Sequence, residues 1–473
     1  MVLAGLALNP AAPLDVLLRL LESGDGAVVS ALCRRRRTFP EELVEAIVHH
    51  DAPRVRGAFA RNPHVSGELR GRLVEDEHWL VRLRLASGPG WDAWPRHLPD
   101  WVLDRMYTTY DGDGLQELIA SRQAPLRVLL ANSAHPMASV RRYGTGMWSL
   151  LPEERRAALL ADPHPDVRAT AAGIQAQDDA EEMERQWRAI PPSHARTHIE
   201  VNCRLSPAMV EELLRTRDPD DVWCLAHNYS TPPEVVASLA EHPAARIRLK
   251  VAARDGLPRE LIDLLARDPD PEVRTVVSVR PELTEEERAA VDYVVDLDED
   301  FTPDEDPYRA PLAHARSAHP LLRRRVAYNP ALPAELVALL AADEDLGVRV
   351  LLAQHHPDAP PELLLRCYLE YTGPHRDRLL ALPRFPVAGL AARFGAAEDR
   401  AVRLLATLDP EADPGLVDAL TRDPEPKVRA GAARNPALPQ ARLHQLLDDQ
   451  ELGADAAANP ALPVATMRRL LDA

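Results

Sequence analysis

Lysine is nearly missing from this chain. Lys250 and Lys427 are the only two, so arginine carries almost all of the 56 basic charges. Carboxylates outnumber them at 73, for a net charge of −17. That balance argues against a generic nucleic-acid coat, whose affinity rests on neutralising phosphates. Aromatic residues are only 4% of the chain, which leaves Ala, Leu and Val to do most of the packing. Cys33, Cys203, Cys224 and Cys367 lie far apart with no Cys-x-x-Cys spacing, so neither a zinc ribbon nor a disulfide framework is expected, and a reducing cytoplasm is. No apolar run approaches the roughly 20 residues of a membrane-spanning helix. Residues 1–8 are apolar but lack a basic n-region and meet Asn9-Pro10 too soon for a signal peptide. Phosphate-binding loops, nucleophile elbows, zinc-protease helices and dinucleotide fingerprints are all missing. No catalytic residue, cofactor or metal is expected.

What the chain has instead is proline, 44 residues of it, and a sentence repeated. The run from Asp423 to Pro439, Asp-Pro-Glu-Pro-Lys-Val-Arg-Ala-Gly-Ala-Ala-Arg-Asn-Pro-Ala-Leu-Pro, is followed by Ala456-Ala-Ala-Asn-Pro-Ala-Leu-Pro463. Near copies stand at Asp162-Pro-His-Pro-Asp-Val-Arg168, Asp268-Pro-Asp-Pro-Glu-Val-Arg274 and Tyr328-Asn-Pro-Ala-Leu-Pro333. Aligning the chain on the proline (or substitute) of Ala-Leu-Pro, from Pro13 through Pro258 to Pro463, tiles it at a period of about 26 residues. Within one tile, Pro258 opens a short helix in which Leu261, Ile262, Leu264 and Leu265 form an apolar stripe. Asp268-Pro269 stops it. Asp270 then caps a second helix with Val273, Val276 and Val277 inward. Helices this short are unstable alone and are stabilised by stacking on their neighbours. The expectation is an all-α chain, an αα-superhelical solenoid of about 17–18 short repeats.

The Asp-Pro-x-Pro-x-Val-Arg…Ala-x-Asn-Pro-x-Leu-Pro pattern resembles the leucine-rich repeat variant family, close in style to HEAT and armadillo repeats. The resemblance is strongest at 258–283, 319–357 and 413–473. It implies a superhelix of alternating short α- and 3₁₀-helices, with the second helix of each unit partly 3₁₀. The iron–sulfur cysteine cluster of some members has no counterpart here, so that cofactor is not carried over.

An Arg recurs about sixteen residues after each anchor: Arg56, Arg82, Arg141, Arg168, Arg196, Arg248, Arg274, Arg323, Arg349, Arg376 and Arg429, with Arg403 one place late. Asp162, Asp268, Asp343 and Asp423 stand six places before four of these. A feature that repeats with the fold unit is expected to be structural, each guanidinium tying its own turn or the next repeat. The recurring Asn9, Asn62, Asn329, Asn435 and Asn459 are expected to tie loops. His49, His50, His355, His356 and His375 fall at inter-helix corners and are expected to cap rather than to bind metal.

Function is sought where the pattern is overwritten. The sequence divides into N-terminal repeats (1–87), an aromatic insert with a degenerate repeat (88–124), central repeats (125–291, with a polar variant unit near 178–205), an acidic loop (292–310) and C-terminal repeats (311–473). Trp91, Trp94, Trp101, Tyr107, Tyr110 and Asp111 form a candidate partner-binding cluster, with core filling as the alternative. The polar stretch 178–187 reads as a protruding solvated helix or a joint. The acidic run 296–306 reads as a solvated linker or a loop for a basic groove, and its spacing is not that of an EF-hand. The functional expectation is a non-enzymatic cytoplasmic scaffold, bacterial in composition, binding a protein or peptide on its concave face. Neither membrane nor nucleic acid is expected as a partner. Two alternatives differ in class. One is a HEAT-like nucleic-acid binder or alkylpurine glycosylase-like enzyme, which requires the arginine ladder unpaired and inward-facing. The other is a lyase-like repeat enzyme with Trp91, Trp94, Trp101 and Asp111 around a pocket.

Overall fold

The computed structural model describes residues 1–89, 97–110, 112–121, 123–216, 218–295, 310–374 and 376–472. Among these residues it holds 34 α-helices and no strand. No helix is long and apolar enough to cross a membrane. The helices are short and begin as the sequence dictates. Pro13, Pro40, Pro99 and Pro152 sit at N-caps in extended conformation, and acidic residues such as Glu41, Glu42, Glu153 and Glu154 fill first turns, where the helix dipole favours them. The second helices are α-helical through Pro53–Ala60, Trp79–Ser87, Ala245–Ala252, Pro271–Ser278, Pro320–Ala327 and Pro426–Arg434. The 3₁₀ character expected there appears instead at Asn132–Ala134, Thr145–Leu150, Ala176–Asp178 and Leu312–Arg316, and Ser30–Arg35 is a π-helical segment.

In the tile at 258–283 the helices are Arg259–Leu265 and Pro271–Ser278, and the Asp270 carboxylate accepts the Glu272 N–H at 2.9 Å. Ile262, Leu265, Val273 and Val277 are buried, whereas Leu264 is 42% exposed. Assigning Leu264 to the stripe was wrong: two residues beyond Ile262 it has turned away from the face that Ile262 and Leu265 share.

The chain forms two compact units. One comprises Met1–Ala171 with Val387–Ala473, the other Ala172–Pro386. In the first, a continuous core joins Leu17, Leu20, Ile47, Phe59 and Leu85 to Leu443, Ala456 and Met467. The helix Val2–Leu8 lies on Gly453–Ala457 so closely that a Cβ on Gly5 would stand 1.9 Å from the Ala454 carbonyl oxygen. Arg468 reaches Asp15 at 2.8 Å and Arg19 reaches Asp472 at 2.6 Å across the same junction. The first repeat thus stacks on the last.

The second unit has its own core, in which Met183, Trp187, Leu213, Leu225, Ile247 and Val277 meet. The polar stretch expected to protrude is packed there as the helix Ala180–Ala189. Met183 and Trp187, four residues apart, share one face and are almost fully buried, and the Trp187 indole donates to Glu200 at 2.7 Å. Two large side chains are enough to dock a helix whose other residues are mostly charged. The acidic run 296–306 lies outside the described residues.

Candidate functional site

The arginine ladder is an interlocked set of hydrogen bonds. Arg56, Arg141, Arg248, Arg323 and Arg403 each present Nε and Nη2 as a fork to one carboxylate, on Asp76, Asp162, Asp268, Asp343 and Asp423 respectively, at 2.6–3.0 Å. The third donor, Nη1, binds the two carbonyls five and six residues upstream, as Arg248 does with Pro243 and His242. Each aspartate serves the next unit too: the carbonyl of Asp268 accepts from Arg274 Nη1, and its Oδ1 accepts the Asp270 N–H. Arg82, Arg168, Arg349 and Arg429 clamp carbonyls in the same way; Arg349 reaches Glu370 through Nη2 alone, and Arg429 turns Nε and Nη2 to Glu451 Oε1. The Arg141 fork, against an opposing effect of burial and helped by the His164 N–H, holds the Asp162 carboxyl below its ordinary range. Arg403 acts likewise on Asp423. Arg196 leaves the pattern: it lies over the Trp187 ring, 3.8 Å from the centroid, and pairs with Glu200.

Asparagines form a second ladder. The Nδ2 of Asn459 donates to the Ala433 and Asn435 carbonyls, that of Asn435 to Thr407 and Asp409, and that of Asn62 to Cys33 and Arg36. Asn9 makes the same pair of bonds to Ala457 and Asn459, so this ladder continues through the junction between the first and last repeats. Arg36, Arg254 and Arg280 substitute for asparagine with Nη1. Histidines cap the corners. The Nδ1 atoms of His50, His78, His135, His164, His242, His319 and His356 all accept the N–H two residues on. His49 approaches the Glu45 carbonyl and His355 packs against the Tyr328 ring at a tilt of 47°, while His375 lies outside the described residues. The four cysteines are buried and free. Burial pushes the Cys33 thiol up to about 12, so it carries almost no thiolate at neutral pH.

The aromatic cluster divides. Tyr107 is a core residue, 3% exposed, and the Tyr110 hydroxyl donates to the Val74 carbonyl at 3.0 Å. Trp101 stands 51% exposed with its indole N–H on Glu68, and Trp79, not singled out from the sequence, is 62% exposed. Trp91, Trp94 and Asp111 lie outside the described residues.

Sequence reasoning also missed four arginines. Successive second-helix segments of the first unit, from Gly26–Val29 and Ser30–Arg35 through Pro53–Ala60 to Trp79–Ser87, bound a cavity of about 270 Å³ lined by Arg34, Arg54, Arg61 and Arg84. Arg54 is held by the Gly24 carbonyl at 2.6 Å and Arg61 by that of Gly88 at 3.1 Å. Neither the Arg34 nor the Arg84 guanidinium has a hydrogen-bonding or ion-pair partner among the described residues. Gly57 makes room for Arg84: a Cβ there would meet Arg84 Cδ at 2.7 Å and Nη1 at 2.9 Å. Burial first, and then the positive fields of Arg34 and Arg84, weaken the hold of Arg61 on its proton, with Glu117 opposing. The available signal was the run Arg34-Arg-Arg-Arg37, which is out of phase with the ladder.

Short stacked helices laced by side-chain ladders define a helical repeat protein. Residues 426–451 match the family model described as leucine rich repeat variant, the family whose pattern the sequence resembles. No curated protein matches the chain.

Proposed function

We propose that this protein is a non-enzymatic cytoplasmic scaffold that binds a protein or peptide on the concave face of its repeats, and that its arginine ladder is mainly structural. The observation that carries this reading is the exposure of Trp79 and Trp101, at 62% and 51%, in a chain with only seven tryptophans. Tryptophan is normally mostly buried and is enriched among residues that dominate binding energy. By sequence alone, Trp91, Trp94 and Asp111 belong to the same proposed partner-binding set. The forks of Arg56, Arg141, Arg248, Arg323 and Arg403 are engaged by aspartates of their own chain, which supports a structural role for the ladder over a nucleic-acid reading of it.

A photo-crosslinking amino acid placed at Trp101 tests this reading, with a control at the exposed Leu264. A discrete adduct is expected from position 101 and not from 264, reduced at least about tenfold by Trp79→Ala, since loss of a dominant contact exceeds about 1.4 kcal/mol. Equal labelling from both positions would remove the aromatic surface from the account.

A further inference from the structure

The unpaired arginines point to a ligand of definite charge. Long-range repulsion between Arg34, Arg61 and Arg84 works against the fold, and the chain has 73 carboxylates with which to quench it. Seven ladder arginines, Arg56, Arg141, Arg248, Arg323, Arg349, Arg403 and Arg429, face a carboxylate, whereas the Arg34 and Arg84 guanidiniums have none among the described residues. Arg54 and Arg61 hydrogen-bond only to carbonyls, and the field of Glu117 at Arg61 is outweighed by burial and by the fields of Arg34 and Arg84. Two backbone features build this arrangement. The π-helical segment Ser30–Arg35 supplies Ser30 and Arg34 to the cavity, and π-helical turns are rare and frequent at functional sites. Glycine at position 57, inside a helix where alanine is worth about 1 kcal/mol more, leaves space for the Arg84 side chain.

From this geometry we infer that the cavity bounded by Arg34, Arg61 and Arg84 is a binding site for a dianionic phosphoryl group, carried by a phosphate monoester. A carboxylate offers two oxygens and one charge, enough for a single fork. A phosphate monoester offers three oxygens and close to two charges at neutral pH, matching several guanidiniums that converge without carboxylates between them. A volume of about 270 Å³, against roughly 30 Å³ per water in the liquid, holds the phosphoryl group and the first atoms of whatever bears it. A polyanion is disfavoured by the net charge of −17, which repels phosphates that extend beyond the pocket. Ser30 is the one hydroxyl in the lining and can donate to a phosphoryl oxygen. The inference does not depend on the aromatic surface.

Calorimetric titration of the full chain tests it with four probes: phenyl phosphate, a phosphoserine peptide, the same peptide with glutamate in place of phosphoserine, and a single-stranded oligonucleotide. Both phosphate monoesters are expected to bind. Their affinity should fall about tenfold or more on raising salt from 50 to 500 mM or on making Arg34→Gln/Arg84→Gln, each lost fork being charge-assisted. Affinity should rise with pH through about 6, where the second phosphate proton leaves. The peptide binding much more tightly than phenyl phosphate identifies a peptide-borne source, and equal binding identifies a small molecule. Gly57→Ala is expected to weaken binding with no loss in unfolding midpoint, because alanine favours the helix while displacing Arg84. No binding of either monoester at millimolar concentration, undiminished binding by the double variant, or equal binding of the glutamate peptide would overturn the proposal. Tighter binding of the oligonucleotide than of any monoester would replace it with a nucleic-acid site.

Discussion

His319 shows how much a single side chain settles. It is 1% exposed, its Nδ1 accepts the Leu321 N–H at 3.1 Å, and its Nε2 lies 2.7 Å from Ser278 Oγ. The Ser278 hydroxyl hydrogen goes to the Thr275 carbonyl, so Nε2 is the donor and the ring is neutral. Protonating Nδ1 would point a hydrogen at the N–H it now caps. Burial, and after it the charges of Arg288, Arg323 and Arg325, lower the ring to about 4 from its ordinary 6.5, with Glu285 opposing. A folded value below the unfolded one means a contribution fully present above pH 6.5 and lost progressively as pH falls towards 4. The urea midpoint is therefore expected to drop between pH 7.5 and pH 5. His319→Asn, which keeps an acceptor for the cap, should flatten that drop, and an identical slope in the variant would assign the pH dependence elsewhere. The aspartates of the ladder act lower: Asp162 and Asp423, held below 3.8, keep their contribution until that range and lose it beneath.

At the scale of the helix, Gly5 has the closest neighbour of the described glycines. The Ala454 carbonyl carbon and oxygen would lie 2.6 Å and 1.9 Å from a Cβ there, and backbone cannot swing aside as a side chain can. Gly5→Ala is thus expected to destabilise by about 1–3 kcal/mol as an overpacked contact, despite alanine's better helix propensity. Amide exchange should accelerate in Gly453–Ala457 as well as in Val2–Leu8. Faster exchange in Val2–Leu8 alone would deny that the two helices are packed together. The existence of such helices was legible from proline and Asp-Pro punctuation, because caps and breaks are local. What the punctuation does not carry is rotation about the axis. Leu264 belongs to the right helix and the wrong face, and Ala180–Ala189 looked solvated because its two buried anchors, Met183 and Trp187, are outnumbered by charge. The forked guanidiniums tie their own turn through Nη1 and the next repeat through Nε and Nη2. The sequence shows an aspartate six residues before an arginine, whereas the fork reaches the aspartate about twenty residues after it, a relation that exists only once repeats stack.

At the scale of the molecule, regularity and function separate. Asp, Arg, Asn and His recur with the repeat, and most of them hydrogen-bond within their own repeat or to the next. Residues that break register are the ones left with free chemistry: Trp79 and Trp101, exposed, and Arg34 and Arg84, unpaired among the described residues. The sequence pointed to the first pair's neighbourhood through its clustered aromatics. For the arginine pocket it offered only the out-of-phase run Arg34-Arg-Arg-Arg37, because Arg34, Arg61 and Arg84 converge from three separate repeats. The account therefore predicts opposite outcomes for two arginines of the same unit. Urea unfolding of Arg141→Gln and Arg84→Gln, measured side by side, tests that contrast most directly. Arg141→Gln leaves Asp162 buried without its fork, and its unfolding free energy should fall by about 2–4 kcal/mol. Arg84→Gln removes only repulsion, and its midpoint should stay level or rise. A large loss in Arg84→Gln with none in Arg141→Gln would contradict the division between arginines that build the protein and arginines that serve a ligand.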